Sequence, residues 1–219
     1  MFTGLIEEMG TVVALDSTQN GIKIKIKCNK VTSNGKIGDS IATNGVCLTA
    51  TEIGNNFFTA DIMNESVRRT GLKDLKIGSK VNLEKSLTLQ TPLGGHLVTG
   101  DVDCEGKIVK IINDGFAKIY EIEIPEKYMK FIVEKGRVSI DGASLTIASV
   151  SEKLFTVSII PHTQDMITLG IKKAGDNVNI ETDLMGKFVE KILLAQQKEN
   201  NSSSPKGISS SFLFENGFI

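Results

Sequence analysis

Hydrophobic positions in this chain recur mainly with a period of two. In Ile22-Lys23-Ile24-Lys25-Ile26-Lys27 the isoleucines fall on one face and the lysines on the other, the pattern of a half-buried strand. Tyr120-Glu121-Ile122-Glu123-Ile124 alternates in the same way with acidic side chains outward, and stops at Pro125. Turn chemistry interrupts such runs at short intervals. Asn20-Gly21, Asn34-Gly35, Gly54-Asn55-Asn56, Asn113-Asp114-Gly115 and Asp141-Gly142 all favour positive φ or a tight reversal. Many short strands between glycine turns predict a small barrel or sandwich. A short helix is expected over 126–134, where Tyr128, Met129, Phe131, Ile132 and Val133 are apolar and Gly136 lies past the end. Near the C-terminus the period changes to that of a helix: Phe188, Val189, Ile192, Leu193 and Gln196 form a stripe among Lys187, Glu190, Lys191 and Lys198. Periodicity alone leaves that stripe free either to lie on a barrel or to bundle with other subunits. The serine-rich stretch 200–211 reads as a flexible linker, and the apolar end, Phe212-Leu213-Phe214-Glu215-Asn216-Gly217-Phe218-Ile219, as a segment that docks on the body or on a neighbour.

The same pattern is stated twice. Phe2-Thr3-Gly4 returns as Val98-Thr99-Gly100, and Asn44-Gly45-Val46-Cys47-Leu48-Thr49 as Asp141-Gly142-Ala143-Ser144-Leu145-Thr146. Phe58-Thr59 matches Phe155-Thr156, and Gly78, Val81, Asn82 and Glu84 match Gly175, Val178, Asn179 and Glu181 at one constant offset. Between Gly45 and Glu84 roughly a dozen of about forty positions are identical, well above chance. The period is too long for a solenoid unit, so each copy is a small domain with its own core. Two similar domains provide two similar pockets, which suits chemistry on two copies of one ligand.

Charge and composition remove alternatives. A formal net charge of -1 gives no reason to expect nucleic acid or an anionic membrane as partner. No apolar run approaches a membrane span, and the N-terminal residues lack the basic and apolar regions of a signal peptide, so a soluble, cytoplasmic protein is expected. Cys28, Cys47 and Cys104 are isolated, without the spacing of a zinc site or a disulfide framework. Gly94-Gly95-His96-Leu97-Val98-Thr99-Gly100 fits neither dinucleotide nor P-loop spacing. With only His96 and His162, a metal cluster or a Ser-His-Asp triad is not expected, and each histidine reads as structural or surface.

The local signal for chemistry is the pair Cys47-Leu48-Thr49 and Ser144-Leu145-Thr146. Each puts a small polar residue and a threonine on one face of a strand just after a turn, where they can hydrogen-bond the imide edge of a planar heterocycle. A second matched pair, Asp61-Ile62-Met63-Asn64-Glu65-Ser66 and Ser158-Ile159-Ile160-Pro161-His162-Thr163, is a strand running into a polar turn, a common place for ligands.

With the start Met1-Phe2-Thr3-Gly4-Leu5-Ile6-Glu7, the segment Gly38-Asp39-Ser40-Ile41-Ala42-Thr43 and the Gly94 to Gly100 joint, these motifs resemble the riboflavin synthase family, whose members are built of two lumazine-binding repeats. The resemblance implies a mainly β protein with two tandem six-stranded Greek-key barrels, at 1–96 and 97–185, a trimerisation helix at 186–199 and a flexible tail at 200–219. It implies a homotrimer, with lumazine synthase as a candidate partner, and no cofactor or metal. The reaction it implies converts two molecules of 6,7-dimethyl-8-ribityllumazine into riboflavin and 5-amino-6-(D-ribitylamino)uracil, at a site between barrels of neighbouring subunits. A non-catalytic lumazine- or flavin-binding protein of the same fold is the alternative.

Carried over by position, the first pocket comprises Gly4, Leu5 and Ile6; Cys47, Leu48 and Thr49; and Asp61, Ile62, Met63, Asn64, Glu65 and Ser66. The second comprises Gly100, Asp101 and Val102; Lys135; Ser144, Leu145 and Thr146; and Ser158, Ile159, Ile160, Pro161, His162 and Thr163. The resemblance puts Ser40, Cys47, Asp101, Ser144 and Asp183 near the reacting centre, with Phe2 closing the site. Asp101 stands where the family commonly has histidine, a group that carries protons near neutral pH as aspartate ordinarily does not; either that histidine is dispensable, or His96 or Asp101 takes over its role, or the protein is slow.

Overall fold

In the computed structural model, which describes residues 1–19, 21–202 and 210–217, the alternating segments are strands that close into two barrels. The first is built from β1 (Glu8–Thr18), β2 (Gly21–Lys27), β3 (Ser40–Thr43), β4 (Val46–Gly54), β5 (Phe57–Met63) and β6 (Lys80–Lys85), ordered β1-β2-β5-β4-β3-β6. The second, from β7 (Cys104–Asp114), β8 (Ala117–Glu123), β9 (Arg137–Ile140), β10 (Ala143–Val150), β11 (Leu154–Ile159) and β12 (Asn177–Thr182), has the same cyclic order. All pairings are antiparallel, and the second strand of each barrel pairs with the fifth, the Greek-key connection. Irregularities at Val12/Ala14, Ala50/Glu52, Ile108/Lys110 and Ile147/Ser149 bend the strands enough for closure.

Each barrel has its own core. Ile24, Ile26, Ile41, Phe58 and Leu83 fill the first, while Ile108, Ile122, Ile140, Phe155 and Ile180 fill the second. The alternation read from Ile22–Lys27 is observed: Ile24 and Ile26 are buried and Lys23 and Lys27 exposed. In each barrel the third and fourth strands are joined by two residues with positive φ, Asn44 and Gly45 in one and Asp141 and Gly142 in the other, the geometry of a type I′ hairpin.

These two turns meet where the barrels meet. Asn82 Nδ2 donates to Asp141 O and Asn179 Nδ2 to Asn44 O, each at 2.8 Å. Asn82 N donates to Asn44 Oδ1 and Asn179 N to Asp141 Oδ1, also at 2.8 Å. Asn82 Oδ1 then accepts from Thr168 N, and Asn179 Oδ1 from Gly71 N. The repeat departs from symmetry here: Asp141 is an acid where the first copy has Asn44, Thr168 stands where it has Gly71, and Lys172 Nζ lies 3.5 Å from the Asp141 Oδ2. Burial pushes the Asp141 carboxyl above the usual carboxylate range, against the pull of Lys172, the Asn179 amide and Thr168.

Three expectations change. The helix over 126–134 is a single turn, α2 (Glu126–Met129), after α1 (Asn64–Arg69). Tighter bonds from Phe131 N to Tyr128 O and from Ile132 N to Met129 O follow it, and Ile132 turns into the barrel core. After α3 (Pro161–Met166), α4 (Leu184–Ser202) takes in residues expected in the tail, and Ser210–Glu215 form α5. Residues 203–209 of the expected linker, residues 218–219 and Asn20 of the first turn lie outside the described residues. The chain divides into two units, Met1–Leu184 with both barrels and Met185–Ile219 with nearly all of α4 and α5. Among the described residues no helix is long and apolar enough to cross a membrane.

Because folding raises the Asp141 pKa, its stabilising contribution is largest at low pH and is lost as pH rises through the folded value. Asp141→Asn keeps the bond to Asn179 N, as Asn44 does for Asn82. It is expected to leave stability near pH 7 within about 1 kcal/mol and to flatten its pH dependence. Lys172→Met, which strands the buried carboxylate, should destabilise more; urea unfolding at mildly acidic and mildly basic pH measures both.

Candidate active site

The segments that precede the barrels run antiparallel to each other. Phe2 N donates to Val98 O (2.7 Å) and Val98 N to Phe2 O (3.0 Å), and both side chains are buried with Ala42. A buried glutamate clamps each segment. Glu84 accepts from Thr3 N (2.7 Å), Thr3 Oγ1 (2.6 Å) and Gly4 N (3.0 Å). Glu181 accepts from Thr99 N (2.6 Å), Thr99 Oγ1 (2.8 Å) and Gly100 N (3.0 Å). Burial raises the Glu84 carboxyl above its ordinary pKa, and these donors offset part of that rise.

Held in this way, each segment reaches the opposite barrel. Ser144 N donates to Gly4 O (2.8 Å), and Cys47 N to Gly100 O (3.0 Å). The approach requires glycine twice over: φ is +75° at Gly4 and +89° at Gly100, and an added Cβ would stand 2.5 Å from Ser144 Cβ or 2.6 Å from Cys47 Cβ. The expected grouping of Gly4, Leu5 and Ile6 with Cys47 is therefore corrected. They go with Ser144, and Ile6 packs on the second core, while Gly100, Asp101 and Val102 go with Cys47, and Val102 packs on the first core.

On the first barrel, Ser40 pairs with Thr49 and Ala42 with Cys47, so Ser40, Cys47 and Thr49 share one face while Leu48 points into the core. A pocket of about 220 Å³ beside them is lined by Glu65, Ser66, Gly100, Asp101 and Val102, with Val46, Arg69 and Thr70. Asp61, Ile62 and Met63 line another cleft, with Thr18 and Lys23, and Asn64 opens α1. Met63 is 69% exposed, an apolar surface at the strand end.

On the second barrel, Ser144 pairs with Ser139 and Thr146 with Arg137, and Leu145 points into the core. Ile160 repeats the exposed apolar position of Met63, between Ser158 and Ile159 of β11 and Pro161, His162 and Thr163 of α3. Lys135 is not brought onto Ser144: held at φ +64° before β9, it donates from Nζ to Ala148 O.

The largest departure concerns His96. Its Nδ1 lies 2.6 Å from Ser144 Oγ, its backbone N donates to Thr3 O, and it is 8% exposed. Burial lowers its pKa below the ordinary histidine value; the charge of Asp183 works against that and the charge of Arg137 with it. Ser144 and His96 are thus brought together as a hydrogen-bonded pair, and the charge of Asp183 acts on the imidazole. Arg69 and Arg137 were missed because nothing local marks them, whereas His96 was legible only as a joint histidine and as one candidate to replace the family's histidine. For Arg137 the repeat held a usable signal, since it is the counterpart of Ser40.

The lumazine binding domain family model matches the chain twice, over residues 3–86 and 99–183. Riboflavin synthase of Bacillus subtilis (strain 168) is 41% identical over 218 residues, spanning all of both chains. The riboflavin synthase of Photobacterium phosphoreum is 38% identical over 220 residues, again end to end, and that of Meyerozyma guilliermondii 42% over 87% of this chain and 85% of its own. In fold the chain is similar to LumP complexed with riboflavin, with a TM-score of 0.77, 23% identity, and coverage of 83% of this chain and 99% of that one.

The crossing can be tested through its glycines. Gly38 also has positive φ (+94°) but nothing within 4 Å of an added Cβ, so Gly38→Ala is expected to cost only backbone strain, about 1 kcal/mol. Gly4→Ala and Gly100→Ala should cost about 1–3 kcal/mol more, through the clash with Ser144 or Cys47. Denaturant unfolding of the three variants measures the difference.

Proposed function

The chain belongs to the riboflavin synthase family, and from that premise we propose that it dismutates 6,7-dimethyl-8-ribityllumazine, giving riboflavin and 5-amino-6-(D-ribitylamino)uracil by four-carbon transfer. The observation that carries this reading is the match of both repeats over the full length of riboflavin synthases, with a small polar side chain, Cys47 or Ser144, at the same place in each copy. A protein that only held one ligand can let one of the two pockets decay.

The substrate supplies much of the chemistry. Its 7-methyl protons are acidic because the resulting carbanion delocalises into the pteridine. The protein's part is to orient two rings, an effect worth about 7–11 kcal/mol, to exclude water from between them, and to move protons through groups within hydrogen-bond reach. Exposed Met63 and Ile160 offer apolar surface for the rings, and hydroxyls and backbone amides of Thr49, Thr146 and their neighbours hold the pyrimidine edges. Ser40 and Cys47 on one barrel, and Ser144 and Asp183 on the other, assist addition and proton movement around C7.

Facing two rings requires a second subunit. Phe188, Val189, Ile192 and Leu193 of α4 are each more than half exposed in the single chain, which suits a homotrimer whose helices bundle and whose unlike barrels face each other between subunits, with Lys135 reaching the neighbour's site. The enzyme works in the cytoplasm as a transferase, taking its substrate from lumazine synthase. Asp101, in the pocket with Arg69, serves mainly to shape the first pocket.

Purified protein mixed with the lumazine alone should form one riboflavin per two substrates and sediment as a trimer. Bound but unconsumed lumazine would favour a carrier. Ser144→Ala and Asp183→Asn should lower kcat by about 10²–10⁴-fold, with a smaller effect on KM. Asp101→His should change kcat less than about threefold; a large gain would make the aspartate a catalytic deficit.

A further inference from the structure

The crossed turns satisfy nearly all of their own polar groups, and what the first turn leaves over belongs to a cleft. Asn44 N donates to Asn82 O (2.9 Å), while Asn44 O accepts from Asn179 Nδ2 and Asn44 Oδ1 from Asn82 N, both at 2.8 Å. With Oδ1 fixed as the acceptor, the other end of the amide is its NH2 group. That group makes no hydrogen bond among the described residues, although Asn44 is only 7% exposed. Asn44 lines a cleft of about 480 Å³ between the two barrels, within the range of small-molecule sites. Its walls include the turns that open at Gly71 and Thr168, whose backbone N–H groups donate to Asn179 Oδ1 and Asn82 Oδ1. The cleft shares no lining residue with the pocket beside Cys47 or with the cleft at Asp61.

The other lining groups decide what chemistry the cleft accepts. Lys172 Nζ donates to Asn177 O (2.6 Å) and lies 3.5 Å from Asp141 Oδ2. Its charge is therefore matched by a buried carboxylate, and its third hydrogen is left for the cleft. Lys80, the other lining lysine, is held by Thr11 Oγ1 at 2.8 Å. Ser79 Oγ accepts from Lys76 N and has its own hydrogen to give. Asp74 and Asp176, on the exposed edge, oppose an anion, and the two lysines oppose a cation. Leu75 and Ile171 supply aliphatic surface, and none of the lining residues is aromatic, so nothing here stacks on a planar ring. We propose that this cleft is a second binding site, for a small uncharged polyhydroxylated molecule of the sugar or sugar-alcohol class. Its hydroxyl oxygens accept from Asn44 Nδ2 and Lys172 Nζ, its hydroxyl hydrogens go to Asp74 and Asp176, and its carbon chain lies on Leu75 and Ile171. Because Asn44 belongs to one barrel and Lys172 to the other, the bound molecule ties the barrels together beside the crossed turns. The site does not depend on the dismutation proposed above.

The test titrates the full-length, isotope-labelled protein with ribitol and D-glucose as neutral probes, and with gluconate and glucosamine as charged probes of similar size. NMR follows the Asn44 side-chain amide and the backbone amides of Gly71 and Thr168. At least one neutral probe should shift these signals saturably, with a Kd of about 1–10 mM, and the charged probes should bind at least about tenfold more weakly. Asn44→Asp keeps the oxygen that accepts from Asn82 N but has no NH2 group to offer. Ile171→Trp obstructs the cleft from a residue that is 60% exposed, outside the core. Each should weaken the response at Gly71 and Thr168 by about tenfold or more; circular dichroism and unfolding midpoints check that the variants fold, and Ile171→Trp carries the test if Asn44→Asp does not. Drift of many signals without saturation is the general action of a polyol on the solvent and would overturn the proposal, as would a response that survives Ile171→Trp. Shifts confined to the pocket beside Cys47 would put the polyol in the proposed substrate site instead, and charged probes that bind as tightly as neutral ones would refute the ligand class.

Discussion

Two buried carboxylates determine how this molecule is wired. Glu84 and Glu181 each gather two backbone amides and a threonine hydroxyl from a short segment that leads into a barrel. Several charge-assisted hydrogen bonds on one carboxylate are strong enough to fix an otherwise irregular segment. Once fixed, that segment delivers its glycine carbonyl to the strand of the opposite barrel. Each barrel's candidate pocket is therefore completed by the chain leading into the other, and neither barrel holds a whole site alone. The crossed turns Asn44-Gly45 and Asp141-Gly142, tied through Asn82 and Asn179, keep the barrels in the register this exchange needs.

Duplication does not make the halves equivalent. Asp141 in place of the other copy's Asn44, paired with Lys172, puts a buried ion pair on one side of the interface. Around the pockets the same drift concentrates ionisable groups, Arg137, His96 and Asp183, near Ser144, and leaves Cys47 among neutral Ser40 and Thr49 and the mixed charges of Glu65, Arg69 and Asp101. A reaction that treats two identical substrates differently needs such a difference. The repeat supplies the common binding mode and the substitutions supply the distinction.

Much of the fold was legible because its causes are local. Alternation in Ile22–Lys27 and the Asn-Gly and Asp-Gly turns define hairpins, and repetition defines two domains. The pair Cys47 and Ser144 stood out for the same reason. The crossing was not legible: Gly4 and Ser144 meet through hydrogen bonds to Glu84 and a bridge to Val98 that link distant parts of the chain and leave no periodic trace. His96 was legible as a joint histidine and a candidate substitute for the family's histidine, but its place on Ser144 was not, because only the fold brings the two together. The helix over 126–134 was overestimated because its apolar residues serve the barrel core through tight turns rather than one continuous helical face.

Amide hydrogen exchange in Glu84→Gln, compared with the unsubstituted protein, tests the crossed wiring most directly. Glutamine replaces one accepting oxygen with an NH2 group that opposes a backbone N–H, so the clamp on Thr3 and Gly4 loosens. Although Glu84 belongs to the first barrel, protection should fall at the Ser144 amide of the second and hold at the Cys47 amide. Loss confined to Cys47, or equal loss at both, would contradict the exchange of segments between the barrels.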